Sequence, residues 1–281
     1  MGVLPREIEL SNVISLIENP DDNCSDLSEI VKILFVLSSS PTADFILRSC
    51  AKKNVRVSQD VEFAADIAHY DRYENCIYTG FQHPSSLKTD HGMGQNLIAL
   101  ARGLRKAWHF HSGNARYTGL RAPDFLKLHR FKTADIEAFT VLICRELRLF
   151  DYPQAWKQYL SGYNGDIAIV FLNEIKKDPK TFKNGQALAA AYNQWFMDSV
   201  RSNNCDHKAL NLIDNILLDN ENDLKLGKEK ITKREIEKIG RVPSGKNYLK
   251  NFTFFKPWYE GLDDEYNRIH LEHIINDLEK A

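Results

Sequence analysis

Apolar residues recur every three or four positions through the middle of this 281-residue chain, which is the pattern of a helix with one buried side. The strongest repeat spans residues 94–111 and includes Leu97, Leu100, Ala101, Leu104, Trp108 and His111. A polar row lies beside it, formed by Arg102, Lys106 and His109. Residues three or four apart on a helix project from the same side, so the pattern predicts a central helix with a basic stripe.

The rest of the chain is also predicted to be mainly helical. A second long helix is expected over residues 123–149, and shorter ones over residues 10–18, 27–37, 153–160, 164–177, 184–202, 206–219, 232–239 and 264–279, with a further start at Pro41. Alternating residues at 54–58 and the run 76–79 predict two short strands. We therefore expect an α+β fold that is predominantly α-helical, with a small sheet in the N-terminal third.

A polar, charged stretch at residues 219–230 suggests an exposed linker. We accordingly predict an N-terminal helical lead-in at 1–40, a main domain at 41–218 and a C-terminal extension at 219–281. The extension contains an aromatic run from residue 252 to 259. We interpret this run as packing of the extension against the main domain, with a partner-binding patch as the alternative.

Composition points to no particular class of partner, because 27% of residues are charged and the formal net charge is −1. The distribution is less even: residues 102–132 hold eight Lys or Arg and one acid, Asp124. The five cysteines form no Cys-x-x-Cys pair, which favours buried thiols in a reducing compartment. The start of the chain lacks a secretion-signal pattern, and the longest apolar run, residues 33–37, is too short to span a bilayer. We expect a cytoplasmic protein with no membrane partner.

Residues 102–108 have the sequence Arg-Gly-Leu-Arg-Lys-Ala-Trp. The segment resembles the His-Glu-Leu-Arg-His-Ala-Trp helix of DUF6782, a bacterial family of predicted zincin-like metallopeptidases first catalogued as a domain of unknown function. In such helices two imidazoles bind zinc and the glutamate is the general base. Residues 55–60, 70–78 and 133–138 also resemble the family, so the resemblance covers about residues 40 to 200. It implies a zincin-like architecture with a small sheet over the active-site helix.

The resemblance also implies that the catalytic positions are degenerate. Arg102 and Lys106 stand at the two histidine positions, Gly103 at the general base, and Thr133 at the family's third metal ligand. The third ligand is the first acid of a Glu-Ala-Asp-Ala-Glu-Ala motif, whose other acids are matched by Asp135 and Glu137. Arginine is not deprotonated in proteins, and the lysine ammonium has no acceptor lone pair at neutral pH. We therefore expect no catalytic residue, no metal and no cofactor.

The functional hypothesis is a catalytically inactive metallopeptidase-like protein that acts by binding or regulating another protein, such as an active relative. In this hypothesis a cation of the central helix pairs with Asp135 or Glu137 and closes the old site. Binding candidates are Arg102, Arg105, Lys106, His109, Asp135 and Glu137.

Three alternatives remain open. The helix is an ordinary amphipathic core helix that never held a site. The chain is a metal-dependent peptidase or hydrolase whose ligands were rebuilt from other histidines, namely His83, His91, His109, His111 and His129. The cationic cleft binds a small anion or nucleic acid, since Arg suits bidentate contact with carboxylate and phosphate.

Overall fold

The computed structural model describes residues 7–19, 28–59, 67–80, 89–113, 117–218, 225–242, 247–250 and 261–280. Within these ranges the chain forms twelve helices and four strands. The helices are α1 (Leu10–Glu18), α2 (Glu29–Ser38), α3 (Pro41–Ala51), α4 (Asp90–His111), α5 (Ala122–Leu149), α6 (Gln154–Ser161), α7 (Gly165–Lys177), α8 (Lys180–Asn184), α9 (Gln186–Trp195), α10 (Ser199–Leu218), α11 (Lys233–Ile239) and α12 (Glu265–Lys280). The expected mainly helical α+β class is confirmed at this level.

The small sheet has four strands rather than the two that alternation predicted. They are β1 (Glu7–Glu9), β2 (Arg56–Gln59), β3 (Ala68–Asp71) and β4 (Cys76–Thr79), in the spatial order β1-β2-β4-β3. The pair β2–β4 is parallel, and the two outer pairs are antiparallel. The missed strands β1 and β3 lie at the edges and have mostly polar residues facing solvent, so their sequences carry little hydrophobic alternation.

The two long helices occur where the sequence predicted them. Helix α4 begins at Asp90, earlier than expected, because the Thr89 side chain accepts a hydrogen bond from the Gly92 amide and caps the first turn. Helix α5 has Pro123 in its first turn, where the missing N–H costs nothing. Its inward side is a nearly continuous row of buried apolar residues.

The expected helices at 184–202 and 206–219 were divided at the wrong place. Gly185 adopts a left-handed conformation (φ 87°) and separates α8 from α9. A break follows α9, and α10 begins at Ser199, where the Asp198 carboxylate accepts a hydrogen bond from the Val200 amide at 2.8 Å. The apolar repeat continues across this cap, so periodicity alone predicted a single helix from residue 184 to residue 202.

The described half of the predicted linker is exposed, but its backbone is bonded to the main body. The Gly119 amide donates to the Lys225 carbonyl at 2.7 Å, and the Arg121 amide donates to Glu229 at 3.0 Å. The buried apolar cluster extends from Leu10 to Ile274, so all three predicted ranges contribute to one core. The division at residues 40 and 218 stays a prediction, and the aromatic run 252–259 lies outside the described residues.

Two further expectations concern thiols and membranes. Cys50, Cys76, Cys144 and Cys205 are buried and free, as the cysteine spacing predicted. In the described part of the chain, no helix has the length and apolar character required to cross a bilayer.

Candidate functional site

Helix α4 packs against β3 and β4 of the sheet on one side and against α5 on another. Candidate residues of α4 lie on these contacting faces. Gly103 faces the sheet, while Arg102 and His109 face α5. The sheet, α4 and α5 therefore position every candidate side chain that the sequence singled out on these two helices.

Gly103 allows the sheet to approach the helix closely. A Cβ atom at this position would lie 2.7 Å from Cγ2 of Ile77 and 3.1 Å from Cβ of Ala68. Real Cβ atoms do not sit that close to another side chain. The space that any larger side chain would need at Gly103 is thus occupied by the sheet.

Arg102 forms an ion pair with Glu137 across the α4–α5 contact. The Nε to Oε1 distance is 2.8 Å, and Nη2 donates to Oε2 at 2.9 Å. The same Oε2 accepts hydrogen bonds from the Tyr159 hydroxyl and from Nδ2 of Asn164, both at 2.9 Å. Burial alone would lower the pKa of Arg102, but the Glu137 carboxylate raises it above its ordinary value, so the guanidinium stays charged.

Arg105 and His109 instead converge on Asp135. Arg105 donates through Nε to Oδ2 at 2.7 Å and through Nη2 to Oδ1 at 3.1 Å, and all three side chains are buried. The Tyr248 hydroxyl completes the set at 2.7 Å from Oδ1, and Arg105 Nη2 also reaches the Ile239 carbonyl. These bonds attach the C-terminal segment to α4 and α5.

His109 is a neutral member of this network. Burial lowers its pKa to about 4, and the positive charge of Arg105 acts in the same direction against the attraction of Asp135. Nε2 lies 2.7 Å from Oδ2 of Asp135, and Nδ1 is buried with no hydrogen-bond partner. The neutral ring with its proton on Nε2 fits both observations.

Lys106 differs from Arg102 and Arg105 because its ammonium forms no ion pair with a described carboxylate. Its Nζ donates to the backbone carbonyl of Ala68 in β3 at 3.0 Å, and the side chain remains exposed to solvent. Surrounding protein lowers its pKa to about 8 through desolvation, and repulsion from Arg102 adds to this. In the described ranges no carboxylate forms an ion pair with it.

Thr133, at the third-ligand position, is turned to its own helix and to α10. Its hydroxyl donates to the His129 carbonyl at 2.9 Å, and the Cys205 sulfur lies 3.5 Å away. Burial raises the pKa of Cys205 to about 12, so this thiol is protonated at neutral pH. Arg102 and Lys106 are thus cations, Thr133 offers a hydroxyl and Gly103 has no side chain. These four residues, which the family resemblance aligns with a metal site, do not fit a catalytic zinc.

The described histidines among the proposed relocated ligands have separate hydrogen-bond partners. His91 contacts Gln158, His111 contacts Asn75 and Tyr70, and His83 falls outside the described residues. Over the part of the chain that the structure describes, no group of three or more His, Cys, Asp or Glu side chains is arranged to hold a metal ion.

One buried basic residue escaped the sequence analysis. Lys132 is 5% exposed, and its Nζ has no hydrogen-bond partner. The ammonium position lies over the ring of Tyr117, 3.8 Å from the centroid. The signal was present: the residues four before and four after it, Leu128 and Ile136, are apolar and buried, which places Lys132 on the inward side of α5.

Comparison with known proteins gives one result. A family profile described as "Putative metallopeptidase family (DUF6782)" matches residues 15–249, most of the chain and a longer span than the motifs suggested. No curated protein and no solved structure matches the chain.

Proposed function

Because this chain belongs to the putative metallopeptidase family DUF6782, we propose that it is a member that has lost metal binding and catalysis and acts by binding. The observation that carries this proposal is the Arg102–Glu137 ion pair. In this proposal the Arg102 guanidinium takes the position of the first zinc-binding imidazole. The Glu137 carboxylate pairs with it, and Tyr159 and Asn164 hold that carboxylate in place through hydrogen bonds. Because arginine is not deprotonated in proteins, its guanidinium offers a divalent cation no lone pair.

The general-base position supports the same proposal independently. Gly103 has no side chain to accept a proton, and Ile77 and Ala68 of the sheet lie where its Cβ atom would be. An active site needs an open position where water meets both metal and base. At Gly103 the helix and sheet are in van der Waals contact instead.

We extend the proposal to architecture: the packing of the small sheet on α4, with α5 alongside, is a zincin-like arrangement. The packing of α4 between the sheet and α5 supports this assignment. We infer the binding role because the proposed loss of metal and base leaves no catalytic activity. That the partner is another protein stays a prediction.

The test is metal content and cleavage on protein purified without a histidine tag. We expect zinc well below one ion per chain by inductively coupled plasma mass spectrometry. We also expect that the protein does not cleave a mixed peptide library, or that any cleavage is not inhibited by the zinc chelator 1,10-phenanthroline. Stoichiometric zinc, or chelator-sensitive cleavage, would overturn the proposal and favour relocated ligands.

A restored ligand set sharpens this test. The triple variant Arg102→His, Lys106→His, Thr133→Glu supplies three donors in the positions of the family motif, and we expect it to bind zinc in competition with a chromophoric chelator. The single variant Arg102→His, with only one new imidazole, is the matched control and should not compete. Failure of a folded triple variant to bind zinc would contradict the assignment of these positions to the family's metal site.

A further inference from the structure

Lys132 is the most unusual charged side chain in the described structure outside the ion pairs. A buried ammonium without a hydrogen-bond partner is costly, so burial disfavours its charged form. Burial accordingly lowers the pKa of Lys132 well below its ordinary value. The Lys132 Nζ forms no hydrogen bond in the structure, so it can donate one to a ligand.

A second unpartnered group lies one turn before it on α5. Nδ1 of His129 is buried without a hydrogen-bond partner, and its ring lies 6.5 Å from the Tyr117 ring that also carries Lys132. The two residues are three apart on the helix, so they share one side of it. Two vacant nitrogen groups therefore flank the same tyrosine.

Two more cations face this region from neighbouring helices. Lys106 approaches from α4 and is exposed to solvent. Lys208 is exposed on α10, one turn beyond Cys205, whose sulfur contacts Thr133 of α5. After burial, repulsion from Lys132, Lys106 and Lys208 helps lower the pKa of His129 to about 4.

The nearby carboxylates do not neutralise this charge. Glu137 is engaged by Arg102, and Asp135 is engaged by Arg105 and His109. In the described ranges no acid forms an ion pair with Lys106, Lys132 or Lys208, although other lysines of the chain have such pairs. The positive charge at the former metal site is therefore uncompensated by side chains.

We propose that this cluster, Lys106, His129, Lys132 and Lys208, binds the phosphate group of a small ligand. Lysine binds phosphate as a point charge, and a phosphate dianion can satisfy more than one ammonium, whereas a single carboxylate carries only one charge. Lys106 is exposed to solvent, whereas Lys132 is buried. This inference rests on the proposed loss of the metal, because zinc ligands would take over the same positions.

Calorimetric titration of metal-free protein with inorganic phosphate and with pyrophosphate tests the site, with acetate as the carboxylate arm. We expect saturable binding of one phosphate or pyrophosphate per chain, weaker at higher salt, and no comparable binding of acetate. Lys132→Met and Lys106→Gln should each weaken phosphate binding about tenfold or more. Lys176→Gln, a change of an exposed lysine on α7, is the matched control and should leave binding unchanged.

A labelling experiment locates the site without a substitution. Phosphate should slow acetylation of Lys106 by acetic anhydride, read by mass spectrometry, and should not slow that of Lys176. Lack of saturable phosphate binding, binding that survives both Lys132→Met and Lys106→Gln, or tighter binding of acetate would each overturn the inference. Zinc in the purified protein would instead refute the proposed function, so the two failures are distinguishable.

Discussion

The guanidinium of Arg105 and the carboxylate of Asp135 form a bidentate ion pair that is closed to solvent, with N–O distances of 2.7 and 3.1 Å. The pair joins the two long helices, and His109 and the Tyr248 hydroxyl contact the same carboxylate. It therefore forms a buried polar brace between α4 and α5. A brace of this kind has a structural value that is independent of any metal.

Removal of one partner of this brace should be strongly destabilising. Arg105→Leu leaves Asp135 buried with only His109 and Tyr248, and we expect a loss of about 3–5 kcal/mol in the free energy of unfolding. Urea denaturation followed by circular dichroism measures it. In the double variant Arg105→Leu, Asp135→Leu no buried charge is left uncompensated, so its loss should be smaller than the sum of the two single losses. Additive losses would contradict the pairing.

His109 predicts a stability that decreases with acid. Its folded pKa is about 4 against 6.5 in the unfolded chain, so between these values the unfolded state binds a proton that the folded state does not. The contribution is fully present above pH 6.5 and is lost as pH falls toward 4, by about 3 kcal/mol at about 1.4 kcal/mol per pKa unit. Urea unfolding at pH 7.5 and pH 5 measures the loss. His109→Gln keeps a donor for Asp135 and should show a shallower decrease, and an identical decrease would exclude His109 as the source.

Sequence periodicity predicted the long helices because their buried sides are continuous. The family resemblance also predicted that a cation of the central helix pairs with Asp135 or Glu137, since the family motifs lie on consecutive helices. It did not say which cation pairs with which acid, because that choice depends on the rotation of α4 relative to α5. In the structure Arg102 forms an ion pair with Glu137, and Arg105 forms one with Asp135. Lys106, on the same stripe as Arg102, turns to the sheet instead.

The remaining differences come from interactions that are distant in sequence. The edge strands β1 and β3 are held by pairing with β2 and β4 rather than by their own hydrophobicity. The break before α10 depends on the cap from Asp198. Lys132 was overlooked because it was counted with the surface charges of a basic stretch, although its apolar neighbours at four-residue spacing mark it as inward.

The contact between Gly103 and Ile77 gives a prediction that opposes helix propensity. Gly to Ala within a helix ordinarily stabilises by about 1 kcal/mol. Here the added Cβ would lie 2.7 Å from Cγ2 of Ile77, so we expect Gly103→Ala to destabilise by about 1–3 kcal/mol. The measurement is urea denaturation of the two single variants and the double variant.

The matched background is Ile77→Ala, which removes the obstructing Cγ2. That variant alone should be destabilised by the cavity it leaves. Adding Gly103→Ala to it should cost little or restore stability, giving a coupling energy of about 1 kcal/mol or more between the two positions. An equal effect of Gly103→Ala in both backgrounds would show that the sheet does not rest on this glycine.

Lys132 gives the last prediction, since a buried amine without a hydrogen bond is a cost that a ligand site would explain. Lys132→Met keeps most of the apolar stem and removes the amine, so we expect it to stabilise the ligand-free protein by about 1–3 kcal/mol at pH 7. The folded pKa of Lys132 is lowered, so in the native protein this penalty is greatest at low pH. It shrinks as pH rises toward 10.5, the pKa of the unfolded chain. The stability gain of Lys132→Met over wild type, measured by urea denaturation at pH 7 and pH 9, should therefore decrease with pH.

Lys176→Met, at an exposed position, should show neither the gain nor its pH dependence. A destabilised Lys132→Met variant would mean that the amine supports the fold, and the cost attributed to it would not exist.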